Sequence, residues 1–174
     1  MTVVISGTTG ITLPDNGGLS TSAGTALSVD SGGRVRMPKQ PRFSVSPTSD
    51  ITGAGNNIHQ VIIFDEVIYN IGSHYNASTG AFTAPVDGVY LFTGNIRFNN
   101  VGATYHNARF YKNGIHINDE SYVLSQDTGS YNTLTLVSII ELVAGDAITT
   151  DVYVSGDSTW SISHSSNFAG HLIS

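Results

Sequence analysis

Residues 79–98 read TGAFTAPVDGVYLFTGNIRF, and this stretch decides the fold. Its second half alternates. Tyr90, Phe92, Ile96 and Phe98 share one face with Gly94 in their row, and Val89, Leu91, Thr93, Asn95 and Arg97 share the other. A period of two with one apolar and one mixed face is a strand buried on one side. The first half is turn chemistry: Thr79-Gly80, Pro85 and Asp87-Gly88, where glycine accepts positive φ at no steric cost.

The same pattern recurs on both sides. RFSVS, VIIFDEVIYN, AFTAP, ARFYKNGIHI, TLTLVSIIEL, AITTDVYV and NFAGHLI are further strand candidates. Asn113-Gly114 inside FYKNGIHI is the strongest short-range hairpin signal. Leu134, Leu136, Ile140 and Leu142 share a face, as do Ile148, Val152 and Val154 with Thr150 in their row. No capped amphipathic helix is predicted. Many short strands between turns imply an all-β sandwich or barrel from residue 43 onward.

Residues 1–42 have a different texture. Short β-like pieces (VVIS, ITL, LSV, RVRM) are separated by glycine clusters, and SGTTGITL and AGTALSV form a weak internal repeat. None buries enough to fold alone, so an extended β-rich arm that orders by winding with its copies or docking on a partner is expected.

Composition bounds the function. Only 11% of the 174 residues are charged, so the polar surface is built from Ser, Thr, Asn and Gly, as in β-structures that pack across subunits. Residues 1–42 carry four basic residues against two acids, while residues 43–174 carry three against eleven. That acidic main domain argues against binding nucleic acid. There is no cysteine, hence no disulfide and no thiolate metal site. No apolar run approaches the roughly 20 residues that span a bilayer, so no membrane insertion is expected. MTVVISGTTG has no basic region before a long apolar stretch, so no signal peptide is predicted.

FSVSPTS (43–49), VIIFDEVIYNIGSHYNASTGAFTAPVDGVYLF (61–92), FYKNG (110–114), LVAGDAI (142–148) and NFAGHLI (167–173) resemble the globular head of complement C1q, in the tumour-necrosis-factor-like superfamily. Phe64, Asn70, Gly72, Tyr75, Thr79-Gly80, Phe82, Pro85, Gly88, Tyr90 and Phe92 stand in that family's order and spacing. The resemblance implies a ten-stranded jelly-roll sandwich that assembles as a homotrimer. It makes Phe64, Tyr75, Phe82, Tyr90, Phe92 and Phe168 candidate core or trimer-contact aromatics. The leader lacks a collagen stalk and resembles the connectors of bacteriophage tail-fibre and virion appendage proteins. It implies an arm, residues 1–42, whose Val3, Val4, Ile5, Ile11 and Leu13 anchor to other virion proteins.

Motifs that carry catalytic or metal chemistry are scarce in this sequence. His59, His74, His106, His116, His164 and His171 match no paired-ligand motif. His59 is singled out, because a histidine near a threefold axis can meet its symmetry mates around an ion. Some members of the family bind calcium near the trimer apex, and Asp119, Glu120, Asp127, Asp146 and Asp151 offer hard oxygen ligands without a D-x-D-x-D-G loop. A G-x-S-x-G nucleophile elbow is absent, and no carboxylate pair stands out, so no enzyme is expected. Asn76-Ala77-Ser78 is read as a turn. Aromatics among Ser, Asn and Gly suit carbohydrate or protein recognition, which makes Tyr105, Tyr122, Tyr131 and Trp160 candidate ligand-facing residues.

The functional expectation is a trimeric bacteriophage fibre or appendage protein, located in the virion, whose head attaches to a host-surface carbohydrate or protein. The alternative is a trimeric capsid decoration protein. No resident cofactor is expected beyond calcium or an axial ion.

Overall fold

Buried side chains recur at every second position through the two longest strands, Gly88–Asn99 and Tyr131–Leu142, between half-buried positions on the first and exposed ones on the second. They pair antiparallel over twelve positions, and the rest of the head is arranged around that pair. The computed structural model describes residues 18–21, 24–99, 102, 105–117, 123–125 and 131–174. The chain divides into two compact units, Met1–Gln40 and Pro41–Ser174.

The first unit holds three antiparallel strands, β1 (Gly18–Thr21), β2 (Gly24–Val29) and β3 (Val35–Arg36). Asp30 closes the turn from β2 to β3. Its carboxylate accepts the amides of Gly32 at 2.9 Å and Arg34 at 3.0 Å, and Arg34 Nε donates to it at 2.9 Å. These bonds, led by the Arg34 amide, hold the Asp30 carboxyl below its usual range. Val3, Val4, Ile5, Ile11 and Leu13 lie outside the described residues.

In chain order the strands of the second unit are β4 (Arg42–Ser46), β5 (Ile51–Thr52), β6 (Ile58–Val61), β7 (Glu66–Ile71), β8 (Tyr75–Asn76), β9 (Ala81–Thr83), β10 (Gly88–Asn99), β11 (Tyr105–Lys112), β12 (Ile115–His116), β13 (Val123–Ser125), β14 (Tyr131–Leu142), β15 (Ala147–Ser155), β16 (Ser161–Ile162) and β17 (Asn167–Leu172). The first sheet centres on β10. It has β14 on one side and β16 and β17 in succession along the other, which carry β5 and then β4 and β7. The second sheet centres on β15, between β11 on one side and β6 and β9 on the other. The two-residue strands β5, β8, β12 and β16 raise the number above the ten that the resemblance implies.

The apolar faces meet between the sheets. Phe43 stacks on Phe82 at 5.0 Å and on Tyr75 at 5.1 Å and meets Phe168 edge-on at 4.8 Å. Phe92 touches Phe43, Phe82, Tyr90, Phe110 and Phe168. Two core phenols find partners: Tyr75 donates to the Phe64 carbonyl at 3.0 Å and Tyr90 to that of Val86 at 2.9 Å. Burial pushes the Tyr75 phenol up to about 12.

Two readings of the sequence change. VIIFDEVIYN is two strands, β6 and β7, with a break at Ile62–Asp65. There the chain passes from the second sheet to the first, and Ile62 and Phe64 both turn into the core. The Tyr75 hydroxyl takes both backbone groups of Phe64, which removes them from any ladder. Gly88 owes its place to close approach and not to positive φ. A Cβ there would meet the Ser174 carbonyl oxygen and Leu172 Cδ1, each at 2.6 Å. The Asn113-Gly114 hairpin forms between β11 and β12, with φ of 53° and 76° at the two turn residues.

Candidate self-association and recognition faces

The outer side of the first sheet follows from the strand period. With Leu134, Leu136, Ile140 and Leu142 turned inward, Tyr131, Thr133, Thr135, Val137 and Ile139 must turn outward. Register places Leu91 opposite Ile139, Thr93 opposite Val137, Asn95 opposite Thr135 and Arg97 opposite Thr133. On the far side of β10, Leu91 faces His171, Thr93 faces Ala169 and Asn95 faces Asn167. Ile139 is 62% exposed and Val137 55%. Large aliphatic side chains this open on β14, which pairs only with β10 among the described strands, form with Leu91 a contiguous apolar band, and such bands mark interaction sites.

Below the band lies a neutral polar ladder. Thr135 Oγ1 donates to Asn95 Oδ1 at 2.9 Å, and Asn95 Nδ2 donates to Asn167 Oδ1 at 3.3 Å. The Arg97 guanidinium then sits 4.7 Å over the Tyr131 ring. A depression of about 230 Å3 between Tyr69, Leu91, Thr93, Ala169 and His171 completes the surface. The charged side chains nearest the band are Glu141 on β14, Arg97 on β10 and Arg42 on β4, opposite His171. This face can pack against apolar and neutral polar groups.

The outer side of the second sheet has other chemistry. His59 on β6 lies opposite Tyr153 on β15, and Asp151 lies between Val61 on β6 and Arg109 on β11. The Asp151 side chain is only 7% exposed, and His59 Nδ1 lies 2.9 Å from its Oδ1. Burial raises the Asp151 carboxyl, against the opposing pull of His59 and Arg109. The Tyr111 hydroxyl comes within 3.3 Å of the same His59 nitrogen, and its phenol is raised by burial and then by the Asp151 charge. Tyr153 donates to Asn57 Oδ1 at 3.0 Å.

The residues singled out from sequence scatter over these places. Phe64, Tyr75, Phe82, Tyr90, Phe92 and Phe168 are all buried inside the sandwich, and none reaches an outer face. Tyr105 stands on the outer side of the second sheet and Tyr131 on that of the first, while Tyr122 lies outside the described residues. Trp160 is not ligand-facing. It is 1% exposed, packs against Phe98 and donates its indole N–H to the Gly55 carbonyl at 3.0 Å. Of the proposed calcium ligands, Asp119, Glu120 and Asp127 lie outside the described residues. Asp146 and Asp151 do not fit such a site. Asp146 is taken by Lys112 Nζ at 2.7 Å, Asn113 Nδ2 at 2.7 Å and the Val143 amide at 2.9 Å, and Asp151 by His59. Among the described residues, no three His, Asp or Glu side chains converge as a metal site would require.

Sequence reasoning missed Val137 and Ile139, although the alternation that buries Leu136 and Ile140 predicts them outward. It singled out His59 and Asp151 separately. Nothing local joins two residues 92 positions apart.

Residues 42–173 match the C1q domain. Among curated proteins, the chain is 39% identical over 71 residues to mouse complement C1q and tumor necrosis factor-related protein 9, covering 40% of this chain and 20% of that protein. It is 30% identical over 98 residues to human complement C1q tumor necrosis factor-related protein 2, covering 54% and 31%. It is 30% identical over 109 residues to bovine protein HP-25 homolog 1, covering 63% and 47%. The chain therefore spans less than half the length of these relatives. Among solved structures, the globular domain of zebrafish complement 1qA superposes with a TM-score of 0.60 at 17% identity, covering 78% of this chain and 98% of that one. Murine APRIL superposes equally well, with a TM-score of 0.60 at 14% identity, covering 78% and 100%. These superpositions show an all-β jelly-roll sandwich. C1q-type domains bind ligands and signal, and are not enzymes.

The relatives overturn the virion reading. They are animal proteins named for complement C1q and tumour necrosis factor, or for HP-25, and not phage structural proteins. The fibre or appendage role, the capsid-decoration alternative, the virion partners of the arm and the virion location all fall with it. The physical reason lies in the leader: Gly/Ser/Thr-rich repeats are a matter of composition, shared by many extended segments, and fix no biological setting.

Proposed function

Because the chain belongs to the C1q domain family, we propose that its head, residues 43–174, assembles as a homotrimer through the outer face of the first sheet and works as a multivalent recognition module. The ligand is a carbohydrate or a protein, taken on surfaces that the trimer leaves outward. The observation that carries this reading is the apolar band of exposed Val137 and Ile139 with half-buried Leu91 beside them, on a chain with only 11% charged residues. A single chain gains nothing by exposing it, whereas three copies around a threefold axis bury it in a ring that symmetry closes. Three heads in one trimer then turn weak single contacts into firm attachment. Met1–Gln40 are a unit of their own.

Light scattering at matched concentration tests the assembly. The full chain and a chain beginning at Pro41, which retains the Pro41 carbonyl that accepts the Leu172 amide, are both expected at three times the subunit mass. A monomeric head beside a trimeric full chain would place assembly in the arm and refute the proposal.

A further inference from the structure

Four rings follow one another across the outer side of the second sheet. Tyr105 stacks on Tyr153 with centroids 5.6 Å apart, Tyr153 lies 4.8 Å from His59, and His59 lies 6.2 Å from Tyr111. They come from three paired strands, β11, β15 and β6, so their spacing is set by the sheet and not by a loop. The core aromatics of this head are fully hidden, yet Tyr105, Tyr111 and Tyr153 are half-buried and His59 is exposed. Asp151 lies at the base of the row with His59 on one oxygen and Arg109 opposite it in register. Asn57 holds the Tyr153 hydroxyl at the margin.

We propose that this row is a binding site for a neutral oligosaccharide, an assignment that rests on reading the head as a recognition module. A sugar ring has an apolar C–H face and a rim of hydroxyls. It therefore needs an exposed ring to lie on and both donors and acceptors at that ring's edge. The half-buried Tyr105, Tyr111 and Tyr153 supply the aromatic surface and the exposed His59 and Asn57 the polar edge, with the buried Asp151 holding His59 from below. Rigid strands hold these groups in place, so little side-chain freedom is lost on binding.

Other ligand classes fit less well. A polyanion meets a head with eleven acids against three basic residues. A cation finds the Asp151 carboxylate already faced by His59 and Arg109. A protein hot spot wants an apolar anchor in a desolvated pocket. Here Val61 is the aliphatic neighbour of Asp151, and Asn107, Arg109 and Thr149 beside it are polar.

Affinity electrophoresis of the full chain tests the site, in native gels cast with dextran, glycogen or galactomannan and in parallel gels cast with heparin. The parent protein is expected to be retarded in at least one neutral gel. Tyr153→Ala and Asp151→Asn should each lose most of that retardation, and Val86→Ser, on an exposed turn away from the row, should keep it. Asp151→Asn preserves the shape at the base of the row, so it reads the site even where Tyr153→Ala loosens the sheet. The proposal is overturned if no neutral gel retards the parent, if both variants migrate like the parent, or if heparin alone retards it. Light scattering on the same samples separates this proposal from the assembly reading. A monomer that is still retarded refutes the trimer and leaves the site standing, and a trimer that is never retarded does the reverse.

Discussion

Replacing Ile139 by Asp should dissociate the trimer without unfolding the subunit. Fully burying an isoleucine side chain contributes about 1.5–3 kcal/mol. A single chain leaves 62% of Ile139 exposed, so assembly gains roughly 1–2 kcal/mol from it per subunit. Three copies make that roughly 3–6 kcal/mol per trimer, which is about two to four powers of ten in the association constant. The trimer-to-monomer ratio depends on the square of free subunit concentration, so the midpoint of assembly should rise about 10- to 100-fold. That is a lower bound, because a carboxylate forced into the contact also resists desolvation. Sedimentation velocity across a concentration series reads the midpoint, and near-UV circular dichroism checks the subunit. Ile115→Asp is the control, since Ile115 is 71% exposed on β12, in the second sheet. If Ile139→Asp assembles at the parent's midpoint, the face does not make the trimer and the reasoning fails.

Gly170→Ala should destabilise the head by about 1–3 kcal/mol through overpacking. Its Cβ would stand 2.6 Å from Phe92 Cδ1 and 2.8 Å from Phe43 Cε1, on rings already packed on all sides. An unchanged urea midpoint would mean that the core has slack the distances deny. Asn113→Ala should cost roughly 1–3 kcal/mol, because it removes a side chain that bonds both Asp146 and the Ala147 amide and leaves alanine at a φ of 53°. The Asp146 carboxyl is lowered to about 2, first by Lys112 and then by Asn113. Its stabilising contribution is present above the unfolded value near 3.8 and lost as pH falls from there towards 2. Lys112→Met should therefore flatten the acid limb of a stability–pH curve, and an unaltered limb would remove Asp146 from the account. Asp151 has the opposite sign: its folded value is raised, so its charged form costs stability at neutral pH and the cost fades as pH drops through that raised value. Asp151→Asn should be at least as stable as the parent at pH 7, and a clear loss would show that the His59 contact outweighs burial.

Strands β10, β14 and β15 were legible because each buries one face, so the period of two survives in the residue order. The β11–β12 hairpin was legible because Asn-Gly tolerates the two positive φ values that the turn imposes. VIIFDEVIYN misled for the converse reason. Its apolar run continues through a change of sheet, and nothing local marks the point where a tyrosine hydroxyl eleven residues later takes the Phe64 backbone. Trp160 misled because its polar neighbours suggest a loop, while the space that encloses it is made by Gly53, Gly55 and Phe98, more than sixty residues earlier.

Residue order by itself determined an all-β head, the inward side of its main strands, the acidic balance and the C1q likeness. These are properties of neighbouring residues, and local sterics and side-chain periodicity express them wherever the chain lies. Tertiary structure alone decided that Ile139, Val137 and Leu91 form one open band, that His59 reaches Asp151, and that four rings line up across β11, β15 and β6. Those contacts join residues from about fifty to more than ninety positions apart. They exist only once backbone hydrogen bonding has set which strands lie side by side and in what register, and no stretch of sequence carries that pairing within itself.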